Sequence, residues 1–158
     1  MAKKFRGTFT VMVTAFDNDG LIDLDAQARF TQWQVDSGIH GLIPLGSTGE
    51  FLSMSYTERK AIAECVIKTV NGRVPVLVGA GAESTDDVIE NVEMAENLGA
   101  DGTMIIPPFY STPTRSELLK HFERISQKAT KPLMLYNNPA TANVDLTPDL
   151  VAELSHFQ

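Results

Sequence analysis

A second cysteine is missing from this sequence. Cys65 stands alone, so no internal disulfide can form, and a reducing, cytoplasmic setting is expected. Excess basic charge is missing too. Thirteen Lys and Arg against 20 Asp and Glu give a formal net charge of −7, which disfavours a nucleic-acid partner because phosphate binding needs a basic surface. No apolar run approaches the roughly 20 residues that span a bilayer, so no membrane partner is expected. The opening MAKKFRGTFTVMV has neither the longer apolar region nor the small-residue cleavage site of a signal peptide. His40, His121 and His156 are scattered, and no pair has metal-ligand spacing, so no metal and no other cofactor is expected. His121 and His156 fall in helical patterns and read as packed or solvated side chains.

What is present is a regular alternation. With 43% hydrophobic and 21% charged residues, 158 residues suffice for one domain with a real core. Five short apolar or β-branched runs, Thr8–Ala15, Gly41–Leu45, Val74–Val78, Gly102–Ile106 and Pro132–Leu135, are each followed by a helical pattern. Continuous apolar strands alternating with amphipathic helices predict a parallel sheet covered by helices. The helix starts are marked by capping-box spacings at Ser55…Glu58 and Thr114…Glu117, by Ser84 ahead of Asp87, and by Thr147 before Pro148. Apolar stripes Leu24, Ala28, Val35; Ile62, Val66, Val70; Val88, Val92, Ala95; and Leu118, Phe122, Ile125 predict the buried helix faces. Gly38 and Gly99 sit where two helices should stop. Cys65 reads as a small core residue and Trp33 as a packing residue. The run Asp86, Asp87, Glu90, Glu93, Glu96 reads as a solvated helix face.

Two architectures use this unit, the open doubly wound sheet and the closed (β/α)8 barrel. The first strand runs into Phe16-Asp-Asn-Asp-Gly20, with no G-x-G-x-x-G, and Gly79-Ala-Gly81 after the third is only a fragment of that pattern. Units of about 30 residues suit the barrel, which typically takes about 250 residues. The expected fold class is therefore α/β, and the spacing favours over the open sheet a (β/α)8 TIM barrel, of which residues 1–158 would supply the first five units as one domain.

Chemistry in such folds sits at the carboxyl ends of the strands. After the second strand comes Gly46-Ser47-Thr48-Gly49-Glu50. Its backbone amides and two hydroxyls can cup a small carboxylate; it reads equally as a simple turn with local hydroxyl bonds. After the fourth comes Pro107-Pro108-Phe109-Tyr110-Ser111-Thr112-Pro113, a stiffened loop that by itself reads as an aromatic plug. After the fifth comes Tyr136-Asn137-Asn138-Pro139, where a phenol can relay protons or simply anchor its ring.

Taken together, GSTGE, the Pro-aromatic-Tyr loop, YNNP and the opening GTFTVMVTAF resemble the dihydrodipicolinate synthase/N-acetylneuraminate lyase family, in order and spacing over essentially the whole chain. The resemblance implies a Schiff-base lyase or synthase of the aldolase type acting on pyruvate or a related 2-keto acid, in a homo-oligomer, dimer or tetramer. It implies that Gly46, Ser47 and Thr48 bind the keto-acid carboxylate, that Tyr136 shuttles protons, and that Tyr110 reaches into a neighbouring subunit's relay.

Two departures qualify that expectation. Thr141 stands where the resemblance places an arginine for the aldehyde partner, which points away from lysine biosynthesis toward another 2-keto acid. The resemblance places the Schiff-base lysine on a sixth strand, which is expected beyond Gln158. Lys60, Lys68, Lys120 and Lys128 read as helical, and Lys3, Lys4 and Lys131 precede strands. The chain is thus expected to carry the binding turn and the relay tyrosine without the nucleophile, and to be inactive alone. The alternatives are a non-catalytic half-barrel binding or scaffold protein and, with less support, a nucleotide-binding α/β domain.

Overall fold

The computed structural model describes residues 5–157. Five strands, β1 (Phe9–Val11), β2 (Gly41–Ile43), β3 (Leu77–Gly79), β4 (Gly102–Ile105) and β5 (Leu133–Leu135), are all parallel. A bridge between Leu42 and Val76 joins the β1–β2 pair to the β3–β4–β5 sheet, so the strands follow one another around an arc in chain order. Between them run α1 (Leu24–Asp36), α2 (Tyr56–Val70), α3 (Thr85–Leu98) and α4 (Arg115–Ser126); α5 (Pro139–Ala142) and α6 (Pro148–Leu154) follow β5. Each helix packs on the next, α1 on α2, α2 on α3, α3 on α4, and α4 on α6. Consecutive parallel strands with right-handed crossovers put their helices on one side, and this is the arc of a partial (β/α)8 barrel.

The strands are shorter than the apolar runs that predicted them. Pro44, Pro75, Pro107 and Pro132 flank β2 to β5 and bring no N–H to the ladder. Their carbonyls still accept, as in Gly79 N–H to Pro44 O (2.9 Å) and Thr103 N–H to Pro132 O (3.1 Å). Two layers of apolar side chains result. Outward-facing strand residues such as Leu42, Val76, Val78 and Ile105 join helix residues Ile62, Val66, Val88, Val92, Leu118 and Phe122 in the main core. Inward, Ile43, Leu77 and Met104 form a smaller cluster against which Phe9 and Tyr136 pack.

Helix starts follow their local signals. Complete capping boxes stand at Ser55/Glu58 and Thr114/Glu117, and the Ser84 hydroxyl accepts from Asp87 N–H. Thr147 differs: it occupies the N-cap of α6, but its hydroxyl donates to the Asp149 carboxylate and caps nothing. Gly99 closes α3 at φ +96°.

The helix faces hold the main surprise. The residues that α1 buries are Gln27, Thr31 and Gln34, while Leu24, at the head of the apolar stripe, is exposed. The reason lies in residues 12–15, which leave the ladder after Met12 N–H bonds Ile43 O. Gln27 serves the backbone there, accepting from Ala15 N–H (2.9 Å) and donating to Val13 O (3.4 Å). Cys65 is only half-buried, its thiol directed at Leu24 O, and Trp33 is 63% exposed, stacked on Phe30. The acidic face of α3 is not merely solvated: Asp86 pairs with Arg124, and Glu96 accepts from the N–H groups of Thr130 and Lys131. Lys128 lies just past the end of α4 rather than within it.

His121 is packed, 6% exposed, between α3 and α4, with Nδ1 against the Thr85 hydroxyl at 2.9 Å. Burial, helped by the nearby Arg124 cation, pushes its pKa down to about 4. The unfolded chain, with a His pKa near 6.5, therefore binds a proton that the folded chain refuses. The stabilisation is complete above about pH 6.5, falls away as the pH drops toward 4, and is worth at most ~3 kcal/mol. His121→Gln should flatten the pH dependence of unfolding free energy across that window, as read by urea melts at successive pH values.

Candidate active site at the carboxyl ends of the strands

At the carboxyl ends of β2 to β5 lies a cavity of about 50 Å³, lined mainly by Leu45, Gly46, Ser47, Gly79, Met104, Phe109, Tyr136 and Thr141. A water needs roughly 10–15 Å³ on this measure, so there is room for a molecule of a few heavy atoms. A larger groove of about 420 Å³ beside β5 is walled by Phe122, Leu133, Leu135, Val151 and Leu154. That groove brings no phenol or turn amide to a common point, whereas the smaller cavity does.

The turn that forms one wall is built by strain and close approach. Leu45 is buried at φ +61° and Glu50 lies at φ +59°, both left-handed and both unusual for these residue types. Gly46 is required next to the wall, since a methyl there would lie 2.6 Å from Val11 Cγ1. Ser47–Gly49 makes one tight helical turn, closed by Gly49 N–H to Gly46 O (2.9 Å) and Glu50 N–H to Ser47 O (3.1 Å). Among the described residues the amides of Ser47 and Thr48 take no hydrogen-bond partner, so both can donate to a small anion. The predicted pair of hydroxyl residues divides. Ser47 lines the cavity; Thr48 is exposed and lies outside its lining.

The turn is held from behind by Thr14, which no sequence motif marks. Its buried hydroxyl donates to Gly49 O at 2.7 Å. Thr14→Val preserves shape but leaves that carbonyl unpaired, a loss of about 1–3 kcal/mol in unfolding free energy. Chemical denaturation measures it, and any anion affinity of the turn should fall with it.

Tyr136 lines the same cavity from the end of β5. Its N–H bonds Ile105 O (2.8 Å), one step beyond the β4–β5 ladder, and its ring rests on the inner cluster. The phenol oxygen accepts from Asn138 Nδ2 at 3.1 Å. That bond leaves the phenol proton for another partner and fixes where the oxygen points. Asn137 does different work: its amide donates to Asp145 (2.7 Å) and accepts from Leu146 N–H (3.0 Å), tying the following loop to the strand end. Thr141, on α5, faces the same cavity.

Phe109 completes the rim, its ring edge-on to Phe51 at 6.3 Å. Tyr110 is not part of the cavity; it stands 91% exposed on the same loop. No described lysine lines the cavity. Lys60 and Lys68 sit on α2 and Lys120 on α4, while Lys131 lines the groove beside β5; Lys3 and Lys4 lie outside the described residues.

Comparison with known proteins agrees with the fold. The model of the "Dihydrodipicolinate synthetase family" matches residues 4–158. A 4-hydroxy-tetrahydrodipicolinate synthase of Methanosphaerula palustris is 44% identical over 153 residues, 96% of this chain and 52% of that protein. One of Brucella abortus is 38% identical over 149 residues, covering 94% of this chain and 51% of the relative. A prophage protein of the dihydrodipicolinic acid synthase family from E. coli K12, solved in complex with pyruvate, superposes with a TM-score of 0.93 at 39% identity, over 96% of this chain and 51% of that one. A chloride-inhibited dihydrodipicolinate synthase from Acinetobacter baumannii, also complexed with pyruvate, gives 0.95 at 31% identity, over 98% and 53%. The chain spans about half the length of the curated relatives it matches.

Proposed function

Because this chain belongs to the dihydrodipicolinate synthetase family, we propose that its strand-end cavity is the keto-acid-binding and proton-relay part of a Schiff-base lyase or synthase acting on pyruvate or a related 2-keto acid. The observation that carries the reading is the convergence of Gly46, Ser47 and Tyr136 on one small cavity. The turn amides and the Ser47 hydroxyl hold the substrate carboxylate, and Thr48 contributes through its amide. Holding the carboxylate aims the neighbouring ketone at the phenol side of the cavity.

An amine then adds to the ketone and water leaves, giving an iminium whose positive charge lets the adjacent carbon lose a proton or a carbon–carbon bond break. Each step moves a proton, and a phenol held by Asn138 is placed to carry it. The amine is supplied from outside these 158 residues, in keeping with a cavity that no described lysine lines. Tyr110, so fully exposed, acts on a neighbouring copy of the chain in a homo-oligomer.

Titration of the chain with pyruvate, followed by amide NMR, tests the binding part. Shifts should concentrate at the amides of Ser47, Thr48 and Tyr136, and Ser47→Ala should weaken binding several-fold. Saturable shifts confined to surfaces away from residues 45–49 and 136 would overturn the assignment. Binding in an assembled protein that shows no turnover with any keto acid would favour the scaffold alternative.

A further inference from the structure

The loop after β4 poses a problem of support. Residues 107–113 read PPFYSTP, so three prolines leave only four backbone N–H groups in seven residues. The loop forms no ladder and no helix, and the side chain at its tip, Tyr110, is 91% exposed. Yet Phe109 closes the cavity wall, so something must hold this backbone still.

The holder is a single side chain from another strand end. One oxygen of Glu83, Oε1, accepts from Phe109 N–H and from Tyr110 N–H, each at 2.7 Å. The other, Oε2, accepts from Ser111 N–H and from the Ser111 hydroxyl, each at 3.3 Å. Three of the loop's four amides therefore go to one carboxylate. Glu83 is itself anchored, because the next residue, Ser84, caps α3. Partial burial alone would raise its pKa, but the amides of Tyr110, Phe109 and Ser111 and the Ser111 hydroxyl outweigh that and hold it below the usual carboxylate range. The group is charged at neutral pH, and bonds from N–H to a charged acceptor are the stronger kind.

We propose that Glu83 is a positioning residue that fastens the β4 loop through its backbone, setting the Phe109 ring as the wall of the cavity and Tyr110 in its outward pose. The fastening is a property of the unliganded chain; only its consequence for turnover rests on the function proposed above. Glu83 touches the loop backbone, and its effect on the cavity passes through Phe109.

Amide hydrogen exchange by NMR on the unliganded chain tests this without reference to any substrate. Glu83→Ala should speed exchange at Phe109, Tyr110 and Ser111 by about tenfold or more, in line with the loss of charge-assisted bonds, while α3 and α4 keep their rates. Glu83→Gln keeps one carbonyl oxygen, so it should restore much of the protection at Phe109 and Tyr110 but not at Ser111. A merely structural contribution would not produce that residue-by-residue rescue. Unchanged loop exchange in Glu83→Ala overturns the proposal. So does a rise spread evenly over α3 and α4. If Glu83→Ala fails to fold, Glu83→Gln decides alone: equal rates at all three amides in that variant overturn the proposal. A chain that binds no keto acid but shows this exchange pattern would sink the function and leave the clamp standing.

Discussion

Tyr136→Phe is expected to lower turnover by about 10²- to 10⁴-fold, the range lost when a positioned acid–base group is removed. The assay uses the chain supplied with a lysine-bearing second half. Pyruvate affinity should change by less than about twofold, because the ring keeps its seat on Ile43, Leu77 and Met104 and the proposed carboxylate site is the separate turn at residues 46–48. That split, turnover lost and binding kept, separates a proton carrier from a packing residue. Asn138→Ala should move in the same direction by less, since it removes the 3.1 Å bond that aims the phenol and leaves the phenol in place. Equal turnover in Tyr136→Phe and the parent would remove the relay from the account.

The largest stability effect is expected at Gly79. A methyl group there would lie 2.6 Å from the Leu45 carbonyl carbon and closer still to its oxygen, with Gly46 N at 3.2 Å. The neighbours are backbone, so no side chain can swing aside. Gly79 N–H also bonds Pro44 O across the same gap, which joins the β1–β2 pair to the rest of the arc. Gly79→Ala must push β3 away from the strained turn at Leu45, and a cost of about 3 kcal/mol or more is expected. Urea denaturation measures the loss. Gly20→Ala is the control, a positive-φ glycine with nothing within 4 Å of its added methyl. It should cost only the left-handed strain, about 1 kcal/mol. The pair separates crowding from backbone conformation.

Much of the architecture was legible because its signals are local. A serine or threonine three residues ahead of a glutamate specifies a helix start almost by itself, and the boxes at Ser55 and Thr114 formed as read. The alternation of short apolar runs with 3.6-period stripes likewise fixed the parallel order. The buried face of α1 was not legible. Gln27 is inside because residues 13–15 have no strand partner there, and nothing near position 27 announces that.

Within the site, GSTGE and Tyr136 could be picked out by motif, but which groups meet could not. Ser47 lines the cavity and Thr48 does not, although the two are adjacent hydroxyl residues of one turn. Thr14 and Asn138 act through single hydrogen bonds formed only once strands and turns are placed. Thr147 shows the converse: a correct cap position whose hydroxyl found a nearer acceptor in Asp149.

The proposed function has these residues clasp a keto acid and relay its protons while a lysine outside residues 1–158 supplies the amine. Pyruvate with borohydride, followed by peptide mass mapping, tests it most directly. Reduction of the imine fixes the keto acid to whichever lysine formed it. No adduct is expected on the isolated chain, and one adduct, on a lysine outside residues 1–158, when a lysine-bearing second half is supplied. A reduced adduct on Lys60, Lys68, Lys120, Lys131 or any other lysine of the isolated chain would contradict it.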